Sequence, residues 1–247
     1  MFGEAVDAAI KAHALAEYPR ECCGLVIDGV YVPQLNILHD SSDVLADPYD
    51  HFRMPVGAWP TDGRKVQAVV HSHCAPRHVR VPSFADSRDQ IETNVPWGLV
   101  LTDGHECTDI LWWGDFRLDE PLFDAEGQII GAPFSWVVAD CWTVVRRFHW
   151  QAYGIKRPDF PRGHDECNSA PGIFLPNVEA AGLAPIDLRE AVPGDVLFFN
   201  IRRPFPNHCA VVTDNELMIH VLPGGLINRQ PLNRWHRQIT HSFRFRS

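Results

Sequence analysis

A polar, glycine-containing stretch from Asp115 to Pro133 interrupts the sequence near its middle. Stretches of this kind mark domain boundaries, because few tertiary contacts cross them. Two domains are therefore expected, over residues 1–117 and 134–247, with a linker at 118–133. The charge supports the division. Residues 1–120 hold nine Lys and Arg against nineteen Asp and Glu, a net of −10, whereas residues 121–247 hold thirteen against twelve, a net of +1. An acidic half beside a neutral one lacks the basic footprint of a nucleic-acid binder. Nowhere does an apolar stretch approach the ~20 residues needed to span a bilayer, so membrane insertion is not expected. The first twenty residues hold no apolar run of signal-peptide type, which suggests synthesis and folding in the cytoplasm. The seven cysteines, an odd number at low density, are expected to be thiols.

Periodicity gives an α+β (mixed α/β) pattern. In the first half a helix is expected over 3–17, with Val6, Ala9, Ile10, His13 and Ala14 on one face. A strand region follows from Cys23 to Val32 with a turn at Asp28-Gly29, then irregular chain over 33–64 and a strand from Val66 to His73. Pro82-Ser83 opens a helix to about Thr93, and strands are expected at 97–102 and 108–113. In the second half, Asp140 is a good N-cap for a helix that buries Cys141, Val144, Val145, Phe148 and Ala152 and stops at Gly154. His149 on that helix is expected at the surface. Loop follows over 155–175, a short helix over 176–183, and strands at 196–199, 208–212, 217–221 and 241–245.

Two groups of residues point to chemistry. In the first half, His71 and His73 are two apart on a strand and so share a face. With Asp86 and a water they would form a tetrahedral zinc site with an open position, and Glu21 is an available general base. Ser83 and Asp86 also fit a helix capping box that needs no metal. In the second half, Cys141 lies in the first turn of its helix, where the macrodipole favours a thiolate. His208 and His220 are candidate partners. A hairpin turn at Asp214-Asn215 would set them nearly opposite each other, so that His220 could orient His208. Taken alone, a cysteine on an apolar helix face is more often a buried structural thiol, and His208 and His220 could equally be ordinary exposed strand residues. Cys22, Cys23, Cys107, Cys167 and Cys209 have no comparable context and are expected as core or incidental thiols.

The run Tyr18-Pro19-Arg20-Glu21-Cys22-Cys23-Gly24-Leu25, then His71-Ser72-His73, then Pro82-Ser83-Phe84-Ala85-Asp86, resembles the JAMM (MPN) metallopeptidase signature. The resemblance covers roughly residues 1–115. It implies a mixed sheet with helices, zinc held by His71, His73 and Asp86, Glu21 as general base, and Ser83 as a holder of the oxyanion. The interval between His73 and Ser83 is longer than usual in that family, and Cys74 stands where proline is common. Cys74 and His78 are thus further candidates for the metal shell.

Ala139-Asp140-Cys141-Trp142, Pro193-Gly194-Asp195-Val196-Leu197-Phe198-Phe199, Asn207-His208-Cys209-Ala210-Val211-Val212 and Ile219-His220 resemble the NlpC-type papain-like peptidases. This resemblance covers roughly residues 134–240. It implies a helix packed on an antiparallel sheet and a Cys141–His208–His220 triad that cleaves peptide or amide bonds of cell-wall peptides, with no cofactor. The order of the two domains resembles a family of tail-tip proteins of lambda-like phages. That likeness implies other tail-tip proteins as partners, bacterial peptidoglycan as substrate, assembly in the host cytoplasm and action at the host wall or periplasm. A structural tail-tip component with both sites vestigial is the alternative.

Overall fold

A computed structural model describes residues 1–40, 49, 51–214 and 216–246. In chain order the elements are α1 (Glu4–Glu17), β1 (Cys23–Ile27), β2 (Val30–Gln34), β3 (Val66–Cys74), α2 (Phe84–Thr93), β4 (Trp97–Thr102) and β5 (Leu111–Trp113). They continue as α3 (Cys141–Tyr153), α4 (His164–Asn168), β6 (Leu183–Pro185), β7 (Val196–Phe199), β8 (His208–Thr213), β9 (Leu217–His220), β10 (Asn228–Pro231) and β11 (Ile239–Phe245). The chain is α+β. It divides into two compact units, Met1–Val81 with Thr93–Asp115, and Pro82–Glu92 with Phe116–Ser247. Among the described residues no helix is long and apolar enough to cross a membrane.

The first unit is built on a five-stranded sheet of order β2-β1-β3-β4-β5, in which only β3 and β4 run parallel. α1 buries Val6, Ile10 and Ala14, spaced four apart along one stripe. All five residues of β1 are buried, as are seven of the nine in β3, so both strands read as continuous apolar runs rather than alternations. Close backbone approach explains Gly24: a Cβ there would lie 2.5 Å from the Tyr31 ring. His13, expected on the buried face of α1, is half-buried with Nδ1 2.9 Å from the Tyr31 hydroxyl.

The second unit holds a six-stranded antiparallel sheet of order β10-β9-β8-β7-β11-β6. One face packs with α3 through Val144, Val145, Phe148, Val196, Phe198, Cys209 and Val211. Alternation sends Leu197, Phe199, Ala210, Val212 and Met218 to the other face, which Trp235 and Ile239 cover. The stretch expected as a linker joins this unit. Leu122 is fully buried in its core, and Pro133 bridges to Leu226. The loop expected over 155–175 contains α4, and the short helix expected over 176–183 is replaced by a single 3-10 turn at Leu175–Asn177 followed by β6. Of the expected hairpin turn, Asn215 lies outside the described residues, as do residues 41–48 and 50 of the expected 33–64 loop.

Candidate functional site

The nucleophile candidate in the second unit is placed by a tight turn. Ser135 and Ala139 pair across Trp136–Val138, with Ala139 N donating to Ser135 O at 2.7 Å. Val137 in that turn adopts a left-handed φ of 66°, a costly conformation for a β-branched residue. Asp140 holds the turn together: its carboxylate accepts from Val137 N at 2.8 Å and from Thr143 N at 2.9 Å, the latter as helix cap. Arg162 Nε donates to Asp140 Oδ2 at 2.6 Å, with both side chains about 1% exposed. Burial would push the Asp140 carboxyl up, but the Arg162 charge and these hydrogen bonds override it and keep Asp140 ionised. Asp159 is the second carboxylate on Arg162, at 2.5 Å, and also pairs with Arg146 at 2.7 Å.

Cys141 follows this cap, at the positive end of α3, and is 8% exposed. Its thiol is held well below the ordinary range, first by a hydrogen bond from Cys209, then by hydrogen bonding to and the charge of His208. Burial and the Asp140 charge act in the opposite direction. Cys209 carries the converse shift, pushed up by burial and by its contact with Cys141. His208 Nε2 lies 2.9 Å from His220 Nδ1, which leaves His208 Nδ1 for the thiol. Burial, with the His208 charge second, lowers His220 to about 3, so its ring is neutral. Val211 pairs with Ile219 and Thr213 with Leu217; continued, that register sets Ala210 opposite His220. His208 is therefore a diagonal neighbour of His220, two residues away and on the same face.

A cavity of about 230 Å³ opens over this group, lined by Cys141 and His208 together with Trp136, Leu222, Arg202 and Arg203. A larger hollow of about 590 Å³, lined by residues such as Val192, Thr213 and Leu232, contains neither Cys141 nor the His208–His220 pair.

In the first unit, His71 and His73 share a face of β3 with ring centroids 5.1 Å apart. His73 Nδ1 lies 2.9 Å from the Val79 carbonyl oxygen, which only an N–H can satisfy. Its Nε2 thus keeps a lone pair, 3.8 Å from Glu21 Oε1. A ring nitrogen fixed on a carbonyl with the other directed outward is how metal-ligating histidines are held. Glu21, His73 and His78 bring ligand-type atoms within 4.8 Å of one another. This donor set suits a divalent transition ion. Cys74, one residue along the strand, directs its sulfur at Arg20 O, 3.5 Å away. Burial, followed by the Glu21 charge, pushes its thiol up to about 12.

Ser83 and Asp86 lie in Pro82–Glu92, the segment that groups with the second unit. There they form a reciprocal capping box at the start of α2, with Ser83 N donating to Asp86 Oδ2 at 2.7 Å and Asp86 N donating to Ser83 Oγ at 3.1 Å. His149, expected at the surface, is 3% exposed with Nε2 2.8 Å from Gly194 O. Sequence reasoning missed Arg162, Asp159 and the contact of Cys209 with Cys141. Only the position of Cys209 beside His208 offered a signal.

Comparison with known proteins gives the class of each region. Residues 3–114 match the family of prokaryotic homologs of the JAB domain, and residues 131–244 match the NlpC/P60 family. The chain is 32% identical over 179 residues to tail tip assembly protein K of Escherichia phage lambda, covering 72% of this chain and 80% of that relative. It is 30% identical over 241 residues to tail tip assembly protein K of Escherichia phage N15, covering 94% and 90%. Among solved structures it is similar to the NlpC/p60 domain of the peptidoglycan hydrolase SagA, with a TM-score of 0.33 and 21% identity over 47% of this chain and 89% of that one. The chain belongs to the tail tip assembly protein K family, with a JAB-type region followed by an NlpC/P60 region.

Proposed function

We propose that this chain is a phage tail-tip assembly protein whose second unit is a cysteine peptidase acting on peptidoglycan. The observation that carries the reading is the placement of Cys141, at the start of α3, in one cavity with His208, whose Nε2 lies 2.9 Å from His220 Nδ1. His208 takes the Cys141 proton, and its Nε2–H is then donated to neutral His220, which fixes the ring. The thiolate attacks a peptide carbonyl in a stem peptide or cross-link, and first-turn N–H groups of α3 supply donors for the oxyanion. As the C–N bond breaks, His208 protonates the leaving amine; water then hydrolyses the thioester with His208 as base. Partners are other tail-tip proteins, met during assembly in the host cytoplasm, and the site of action is the host wall or periplasm. The 118–133 stretch is proposed as the boundary between the two functions.

We further propose a zinc peptidase site, with His71, His73 and Asp86 as the residues that would hold the metal. Bound zinc lowers the pKa of a coordinated water and polarises a carbonyl. Glu21 would accept a proton at Oε1. Ser83, whose oxygen accepts from Asp86 N, keeps its O–H to donate to an oxyanion. The capping box favours a second reading for this part alone, in which Ser83 and Asp86 serve α2 and the unit is a scaffold.

The test is digestion of purified peptidoglycan sacculi, with released muropeptides identified by mass spectrometry, wild type beside Cys141→Ala. The expected result is release by wild type only. Equal release by the variant would overturn the Cys141 assignment, and none by either with reductant and zinc present would turn the reading to a structural tail-tip component.

A further inference from the structure

The residue that caps α3 is also a threat to the nucleophile. Asp140 precedes Cys141, and an ionised carboxylate disfavours a second negative charge beside it. An uncompensated aspartate cap would therefore oppose the thiolate that His208 and the start of α3 favour. The charged and titratable groups around the thiol are Asp140 from its own turn and His208 and Cys209 from β8. Cys167 of α4 shares the same core, but burial, followed by the Cys141 charge, pushes its thiol up, so it stays neutral.

Arg162 answers Asp140 without lining the cavity over the thiol. A guanidinium has five N–H groups, and here each has a partner. Nε donates to Asp140 Oδ2 at 2.6 Å. Nη1 donates to Asp159 Oδ1 at 2.5 Å and to Phe160 O at 3.0 Å. Nη2 donates to Val137 O at 3.3 Å and to Thr143 Oγ1 at 2.8 Å. The backbone N of Arg162 donates in turn to Ser87 Oγ of α2, in the same unit, at 3.3 Å. Capping does not require this charge pair. Asp140 already accepts from Val137 N and Thr143 N, and a neutral asparagine caps a helix about as well. Nor does stability require it, since a buried ion pair is often no better than apolar packing of the same volume. What the pair does is cancel a negative charge next to the nucleophile.

We propose that Arg162 is a positioning residue for the cysteine peptidase: by pairing with Asp140 it cancels the carboxylate's charge and lets the capping turn stand beside a Cys141 thiolate. Burial would lower the Arg162 pKa, but the charges of Asp140 and Asp159 override it and raise it. The guanidinium is thus charged at every working pH, and the compensation holds wherever the thiol titrates. The inference rests on the reading of Cys141 as nucleophile and adds to it a residue outside the triad.

The experiment is a double-mutant cycle in the full chain, reading the pH midpoint of Cys141 alkylation by neutral iodoacetamide through peptide mass spectrometry. R162Q leaves Asp140 uncompensated and should raise the midpoint by about one pH unit. D140N keeps the cap but leaves the Arg162 charge in excess, and should lower the midpoint below wild type. D140N/R162Q removes both charges and should return the midpoint to the wild-type value, a rescue that a purely structural role for Arg162 would not give. Buried Cys167 and Cys209 staying unalkylated without denaturant shows that each variant is folded. A midpoint unmoved by R162Q, or one that stays raised in D140N/R162Q, would overturn the proposal. If R162Q does not fold, D140N alone decides, and an unchanged or raised midpoint there overturns it as well. Release of muropeptides by wild type reads the peptidase assignment separately, so either can fail without the other.

Discussion

Each unit places two histidines on one face of a sheet, but the two pairs are wired for different work. In the first, His71 and His73 are two apart on one strand, and His73 spends Nδ1 on a backbone carbonyl so that Nε2 points toward Glu21. That leaves lone pairs for a Lewis acid. In the second, His208 and His220 lie on neighbouring strands and bond to each other through ring nitrogens, 2.9 Å apart, with a thiol at the far side of His208. That leaves a path for a proton. The position of a histidine pair on a sheet does not decide its chemistry; what each second nitrogen is bonded to does.

The sharpest break of this comparison exchanges the losses. His208→Ala should reduce release of muropeptides by a factor of ~10³ or more, since it removes the general base, and should leave zinc content unchanged. His73→Ala should do the reverse, reducing bound zinc from about one per chain to under about one-tenth with wall hydrolysis intact. Elemental analysis and muropeptide assay of both variants decide it. Zinc below one-tenth in the wild type itself would make the first unit a scaffold.

A smaller effect separates the buried histidines by pH. His149 is lowered to about 4, by burial first and by the Arg157 charge, against the hydrogen bond to Gly194. Its folded pKa lies below the unfolded value of about 6.5. The unfolded chain therefore binds the extra proton between those values, and the stability contributed is complete above pH 6.5 and is lost as pH falls toward 4. One such site is worth about 3 kcal/mol, and His220, lowered to about 3, acts in the same window. Urea midpoints at pH 7 and pH 4.5 should show this loss in the second unit, and His149→Gln should flatten it. A pH-independent midpoint in wild type would contradict the assignment.

The α+β class, the strands that carry both histidine pairs and the helix behind Cys141 were all legible in the sequence, because each is an apolar run or stripe with clear punctuation. The strands that escaped are the two sheet edges, β6 and β10, each three or four residues long and ending in Pro185 or Pro231. Edge strands carry proline and polar residues because they bury only one side of their ladder, so no period marks them. The pairing of His208 with His220 was anticipated as nearly opposite and is diagonal instead. It survives because a shift of two residues preserves the face, whereas a shift of one would have separated the rings. His149 was misplaced because α3 is buried almost all round from Cys141 to His149, and its polar residues are satisfied by distant carbonyls such as Glu120 O and Arg157 O. The Asp140–Arg162 pair joins residues 22 apart in sequence, and no local pattern announces it.

The account's central claim is that the Cys209 hydrogen bond and His208 together keep Cys141 ready as a thiolate. Its most direct test is the pH dependence of iodoacetamide alkylation at Cys141, resolved from the other six cysteines by peptide mass spectrometry, in wild type and His208→Gln. The account predicts rapid alkylation of wild type that persists well below pH 7, with the midpoint rising in the variant. A wild-type midpoint near that of an ordinary thiol, unchanged by His208→Gln, would contradict it.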